Sequence, residues 1–245
     1  MPRTYRALDP TRIVETIERL EERISVRFPG SGLARVCADL CGVARQTSQR
    51  ITYVDRPNWT LRLLLLSMGG ASVVVLAYLA AQAAVLKGTD EWSETVQGLD
   101  ALLNLLVLLG GGAFFISTLE TRWKRSRALT ALHELRSIVH VIDMHQLAKD
   151  PSSERPAMVS IGGGQRKMSN FELMRYLDYC SEMLSLTAKC AALYAERLSD
   201  SVVVDTVGAI ERLTSELSNK IWQKITIIET LDAREVPLPA LRAEP

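Results

Sequence analysis

The segment HELRSIVHVIDMH, residues 133–145, contains all three histidines of the chain together with Glu134 and Asp143. Imidazole and carboxylate groups at short spacings could bind a metal ion or transfer protons. The HExxH pattern of zinc proteases needs two histidines four residues apart, and this segment has no such pair. What these groups can do therefore depends on the element that carries them.

A helical wheel gives this segment an apolar face and a polar face. The apolar face comprises Leu132, Leu135, Ile138, Val139 and Ile142. The polar face comprises His133, Arg136, His140 and Asp143. His145 lies away from that polar group, near the edge of the apolar face. His133 and His140 stand about 10 Å apart along the axis, too far to share one zinc ion, whose ligands lie about 2 Å away.

We therefore predict no metal site, no cofactor and no catalytic residues. The favoured interpretation of the polar face is a solvated helix surface with an ordinary ion pair. The alternative is an acid/base or pH-sensing role for His140 and Asp143, which would require an oligomer that encloses this face and shifts their pKa values.

Two uncharged stretches determine the class of protein. Residues 63–86 carry no charged side chain, and neither do residues 101–119. A bilayer core of about 30 Å needs about 20 helical residues, so each stretch is long enough to cross it. With the short external loop 87–100 they predict a transmembrane helical hairpin over residues 61–119.

The charges that flank these stretches predict the orientation, because cytoplasmic flanks carry an excess of Lys and Arg. The basic flanking residues are Arg45, Arg50, Arg56 and Arg62 before the first stretch, and Arg122, Lys124, Arg125 and Arg127 after the second. The loop between them is acidic. We expect a multi-pass protein of the plasma or inner cell membrane, in contact with the lipid bilayer, with both termini cytoplasmic. No cleavable signal peptide is expected, so the first span would direct targeting.

Both cytoplasmic parts have helical periodicity. The pattern of residues 1–60 predicts a helical hairpin. Its first helix ends at FPGSG, residues 28–32, where Ser31 can cap the second helix. Its first apolar face comprises Ile13, Ile17, Leu20 and Ile24.

After the second span, residues 120–232 predict a helical bundle. The chain has neither Gly nor Pro from Ala113 to Lys149, so one helix should continue until Asp150 and Pro151. Ser169 and Glu172 form a capping box for helix 170–198, which shares coiled-coil-like spacing with helix 201–231. These two should pack antiparallel, with residues 233–245 as a flexible tail.

The fold class is therefore all-α: a two-pass transmembrane helical hairpin with cytoplasmic amphipathic helices and an antiparallel helical bundle. No sheet is expected, although residues 158–161 could be extended. The glycine-rich GGGQRK, at 162–167, is interpreted as a flexible connection, since it lacks the pattern of a phosphate-binding loop. The four cysteines, Cys37, Cys41, Cys180 and Cys190, are expected to be buried apolar residues.

Two functions remain open besides a membrane-bound enzyme or sensor that would use His140 and Asp143. The leading hypothesis is a non-enzymatic membrane module that forms homo-oligomers or binds a protein partner on the cytoplasmic side. The alternative is a subunit of an oligomeric ion channel or transporter, with the second span lining the pore through Asp100, Asn104, Gly111 and Thr118. A net charge of +1 and the absence of a nucleic-acid-binding motif argue against a nucleic-acid partner.

Overall fold

The computed structural model describes residues 7–54, 63, 67, 69–75, 77–78, 81, 92–149, 157–161 and 164–235. These residues are mostly helical, which confirms the all-α prediction at that level. The five helices named here are α1 (Pro10–Arg27), α2 (Gly32–Val54), α3 (Trp92–Leu147), α4 (Asn170–Arg197) and α5 (Ser201–Glu235).

Helices α1 and α2 form the predicted hairpin. Asp9 caps α1 by accepting a hydrogen bond from the Thr11 backbone N–H. The chain then turns through Gly30, whose φ of 67° lies in the left-handed region that favours glycine. Ser31 Oγ accepts from Ala34 N–H at 3.2 Å, so it caps the start of α2 as predicted.

The second uncharged stretch lies within α3, which spans 56 residues. As predicted, this helix is continuous past the stretch and ends just before Asp150. It begins at Trp92, however, inside the segment expected to be the external loop 87–100. Residues 92–100 contain no proline, so no residue in this segment is incompatible with a helix. Residues 87–91 lie outside the described residues.

A small antiparallel hairpin follows, in which β1 (Met158–Ile161) pairs with β2 (Gly164–Lys167). The extended piece at 158–161 is confirmed, but the expectation of no sheet was wrong. The interpretation of residues 164–167 as a flexible connection was also wrong. Val159 is buried in the helical core, and its burial anchors a strand too short to show alternation in the sequence.

Helix α4 begins with the predicted capping box: Ser169 Oγ accepts from Glu172 N–H, and the Glu172 carboxylate accepts from Ser169 N–H. Arg166 also donates to this carboxylate, at 2.6 Å. The Arg166 hydrogen bond, followed by the Ser169 backbone bond, lowers the pKa of Glu172 to about 2. Asp200 caps α5 through Val202 N–H.

The chain divides into two compact units, residues 1–55 with 127–245 and residues 56–126. In the first, α4 packs against α5, α2 and α1, so helices from both sides of the apolar stretches share one core. The sequence had suggested a separate N-terminal hairpin and bundle. The sequence could not show that the apolar face of α1 also packs against α4, because the two helices are far apart in the sequence.

Within the described residues, no helix combines the length and the apolarity that crossing a membrane requires. Half of the first predicted span, 63–86, lies outside the described residues. The tail predicted at 233–245 begins later than expected, because α5 continues to Glu235, and residues 236–245 lie outside the described residues. All four cysteines are free and buried, as predicted.

Candidate functional site

The predicted polar face of α3 is largely at the surface. His133, Arg136 and His140 are exposed, and Asp143 is half-buried. Asp143 Oδ1 accepts a hydrogen bond from Gln146 Nε2 at 2.6 Å, so the carboxylate is engaged by a neighbour on its own helix. Within the described part of the chain, no three ligand-type side chains converge on one point.

His145, in contrast, faces the interior of the first unit. Its Nδ1 lies 3.2 Å from the hydroxyl oxygen of Tyr176 on α4. Its ring also lies against Gly32 at the start of α2, where a Cβ would come within 2.5 Å of the imidazole Cε1. The sequence had placed His145 near the edge of the apolar face, and such a position is compatible with partial burial. Burial first, and then the charges of Lys149 and Arg35, lower the pKa of His145.

Lys149 continues the contact just beyond the end of α3. Its ammonium group lies 5.6 Å from the ring centre of Tyr176 and donates to the backbone oxygen of Met158 on β1. Burial lowers the pKa of Lys149 and raises that of Tyr176. The phenol therefore stays protonated at physiological pH, and it can donate a hydrogen bond to His145 Nδ1 when the imidazole carries its hydrogen on Nε2.

Gln146 connects this group to α5. Its side chain is buried, and Lys224 donates to its backbone oxygen at 2.9 Å and to its Oε1 at 3.0 Å. We call the set His145, Gln146, Lys149, Tyr176 and Lys224 the polar junction. It ties the end of α3 to α4, α5 and β1, and it lies against the start of α2.

Of the polar junction, only His145 was distinguished by its position in the sequence. A signal for two others was present, because Gln146 and Lys224 continue apolar faces, four residues after Ile142 and three after Ile221. A polar residue at such a position needs a buried partner, but the sequence does not identify it.

The polar junction contains hydrogen-bonded and titratable groups, but it contains no activated thiol or hydroxyl nucleophile. The nearby Cys180 is buried, and burial raises its pKa to about 12. It is therefore a thiol at neutral pH, and the thiolate is the reactive form. The arrangement favours a structural or proton-responsive role over group transfer.

The predicted pore-lining residues belong to the second unit. Asp100, Asn104 and Gly111 are exposed, and Thr118 is partly exposed. Asn104 Nδ2 donates to Asp100 Oδ2 at 3.4 Å, while the Thr118 hydroxyl donates to the backbone oxygen of Phe114 at 2.8 Å. Both hydrogen bonds join residues of α3 and involve no second helix.

Large apolar side chains of α3 are exposed on both sides of the row formed by Asp100, Asn104, Gly111 and Thr118. They are Leu103, Val107, Leu108, Phe114, Phe115 and Leu119. Leu108 is 73% exposed and Phe114 is 75% exposed. Exposed apolar side chains that lie together on a surface mark sites of contact with a protein, a ligand or a membrane.

Neither a family model, nor a curated protein, nor a solved structure matches this chain. A proposed function must therefore rest on the residues and contacts described above.

Proposed function

We propose that the chain is an integral membrane protein that spans the bilayer at residues 63–86 and 101–119 and whose helical unit mediates self-association on the cytoplasmic side. The observation that carries the proposal is the exposed apolar patch of α3 between Leu103 and Leu119. Exposed apolar surface of this kind is stable when lipid or another protein covers it. The basic flank at residues 122–127 supports a cytoplasmic position for the helices that follow.

The coiled-coil-like faces of α4 and α5 pack against each other within the chain. Because these two apolar faces already cover each other, self-association of the helical unit must involve its outer surfaces. Suitable side chains are present there: Met144 is 69% exposed and Trp222 is 62% exposed. Met and Trp are enriched where proteins bind one another.

The mass of the detergent-purified full chain tests this function. We expect light scattering, corrected for bound detergent, to give a multiple of 27.2 kDa. Met144→Glu with Trp222→Glu should reduce that multiple, because each change places a charge in an apolar contact. The matched control, Val26→Glu on α1 with Val202→Glu on the opposite side of α5 from Trp222, changes exposed positions and should leave the mass unchanged. A wild-type protein that is strictly monomeric would contradict self-association.

An oligomeric channel or transporter is the second candidate, favoured by the exposed polar line through Asp100, Asn104 and Gly111. Carboxylates at a pore mouth attract cations. The same oligomer in liposomes distinguishes the two functions: a channel gives ion flux that Asp100→Ala with Asn104→Ala changes. A docking module gives no flux above that of empty liposomes.

A further inference from the structure

The polar junction closes the end of the first unit where α2 begins and α3 ends. His145 is its only group that ordinarily titrates near neutral pH. The ring touches three elements: its own helix α3, Gly32 on α2 and Tyr176 on α4. A change of charge on this ring therefore alters the packing between three helices, and not only the surface of one helix.

Among the described residues, the charged groups that act on His145 from the packed elements are cations. Arg35 acts from α2, and Lys149 acts from the residues just beyond α3. Lys224 of α5 is bound to the adjacent Gln146. Asp143 is the nearest carboxylate along α3, and it accepts a hydrogen bond from Gln146. A proton on His145 would add a positive charge to a group of positive charges.

The helix dipoles act in opposite directions on this ring. The end of α3 stabilises a cation, whereas the start of α2, at Gly32, destabilises one. Burial opposes the charge as well: burial first, and then the charges of Lys149 and Arg35, lower the pKa of His145.

Protonation would also disturb the hydrogen bond to Tyr176. When the neutral ring carries its hydrogen on Nε2, the phenol donates to Nδ1. A protonated ring carries hydrogen on both nitrogens, so Nδ1 can only donate. The phenol hydrogen then loses its acceptor inside a buried site, which is costly.

We propose that the polar junction is an acid-sensitive latch, which holds the start of α2 against α3 and α4 while His145 is neutral and releases it when His145 takes up a proton. In the released state the ring is hydrated and binds a proton near its ordinary pKa. Because the pKa is lower in the closed state, the open state binds more protons below that value. The latch is therefore closed at neutral pH, and it opens progressively as the pH falls through and below about 6.5.

Hydrogen exchange of the full chain in detergent, read by mass spectrometry, tests the latch. Exchange would be compared at about pH 7.5 and about pH 5, on either side of the ordinary histidine value of about 6.5, after correction for intrinsic exchange rates. We expect peptides that cover residues 31–36 to open several-fold more often at the lower pH. Peptides from the middle of α4, residues 180–190, should change little.

Matched variants identify the responsible histidine. The double variant His133→Gln with His140→Gln keeps only His145 and should retain the response, because both replaced side chains are exposed. His145→Gln cannot be protonated and should abolish it. An unchanged response in His145→Gln would overturn the proposal. If that variant does not fold, the double variant decides alone, and no pH response in residues 31–36 would overturn it.

Discussion

Replacing Phe28 by alanine is expected to lower the free energy of unfolding of the helical unit by about 3–5 kcal/mol. Phe28 directly follows α1 and is fully buried, and its ring makes T-shaped contacts with Tyr176 at 5.6 Å and Tyr179 at 6.4 Å between ring centres. The substitution removes the contact that fixes the α1–α2 turn on α4, and it leaves a cavity. Urea titration of the full chain, followed by circular dichroism, measures the loss.

The matched control is Phe171→Ala on α4. Phe171 is 56% exposed, and its ring contacts the guanidinium groups of Arg27 and Arg175 at the surface. Exposed cation–π contacts contribute about 0.5–1 kcal/mol, so this change should cost far less than Phe28→Ala. Equal costs for the two variants would show that Phe28 is not the anchor of the turn.

Gly32→Ala is the second large effect, expected to cost about 1–3 kcal/mol by overpacking. Alanine usually stabilises a helix relative to glycine by roughly 0.5–1 kcal/mol, so the expected sign is reversed at this position. The reason is the imidazole of His145, whose Cε1 would lie 2.5 Å from the new Cβ. Because Tyr176 holds the ring, the ring cannot move away without losing a hydrogen bond.

Two further variants isolate that clash. Gly42 lies on the same helix, and a Cβ there would meet nothing within 4 Å, so Gly42→Ala should be neutral or stabilising. In a His145→Ala background, Gly32→Ala should lose most of its cost, which a double-mutant cycle measures. The same cost with and without the imidazole would rule out contact with His145 as the cause.

Much of the helical architecture could be predicted because its signals are local. The apolar positions of α1, Ile13, Ile17, Leu20 and Ile24, follow the helical period, and all four are buried. The capping box at Ser169 and Glu172 likewise lies within four residues. Such patterns depend only on the geometry of one helix, which the sequence specifies directly.

The contacts between elements could not be predicted in the same way. The periodicity of α1 shows that it buries one face, but it does not show that this face would pack on α2 and α4. The β1–β2 hairpin was missed because its strands have four residues each, and one of them is entirely exposed. Tertiary packing decided both features.

In the candidate site, too, features of one helix could be predicted and contacts between elements could not. The helical wheel correctly separated His145 from His133 and His140, because that separation depends on α3 alone. The partners of His145 come from elsewhere: Tyr176 lies 31 positions later, and Gly32 lies on a helix before the apolar stretches. The polar face at His133, Arg136, His140 and Asp143 remains a surface for which a functional role is only a hypothesis.

We propose that lipid covers the exposed apolar side chains of α3 between Leu103 and Leu119. The most direct test is extraction of membranes from cells that express the full chain with alkaline carbonate, which removes peripheral proteins and leaves spanning ones. We expect the chain to stay in the membrane pellet and to enter solution only with detergent. Recovery of the folded chain in the carbonate supernatant, free of lipid and detergent, would contradict it.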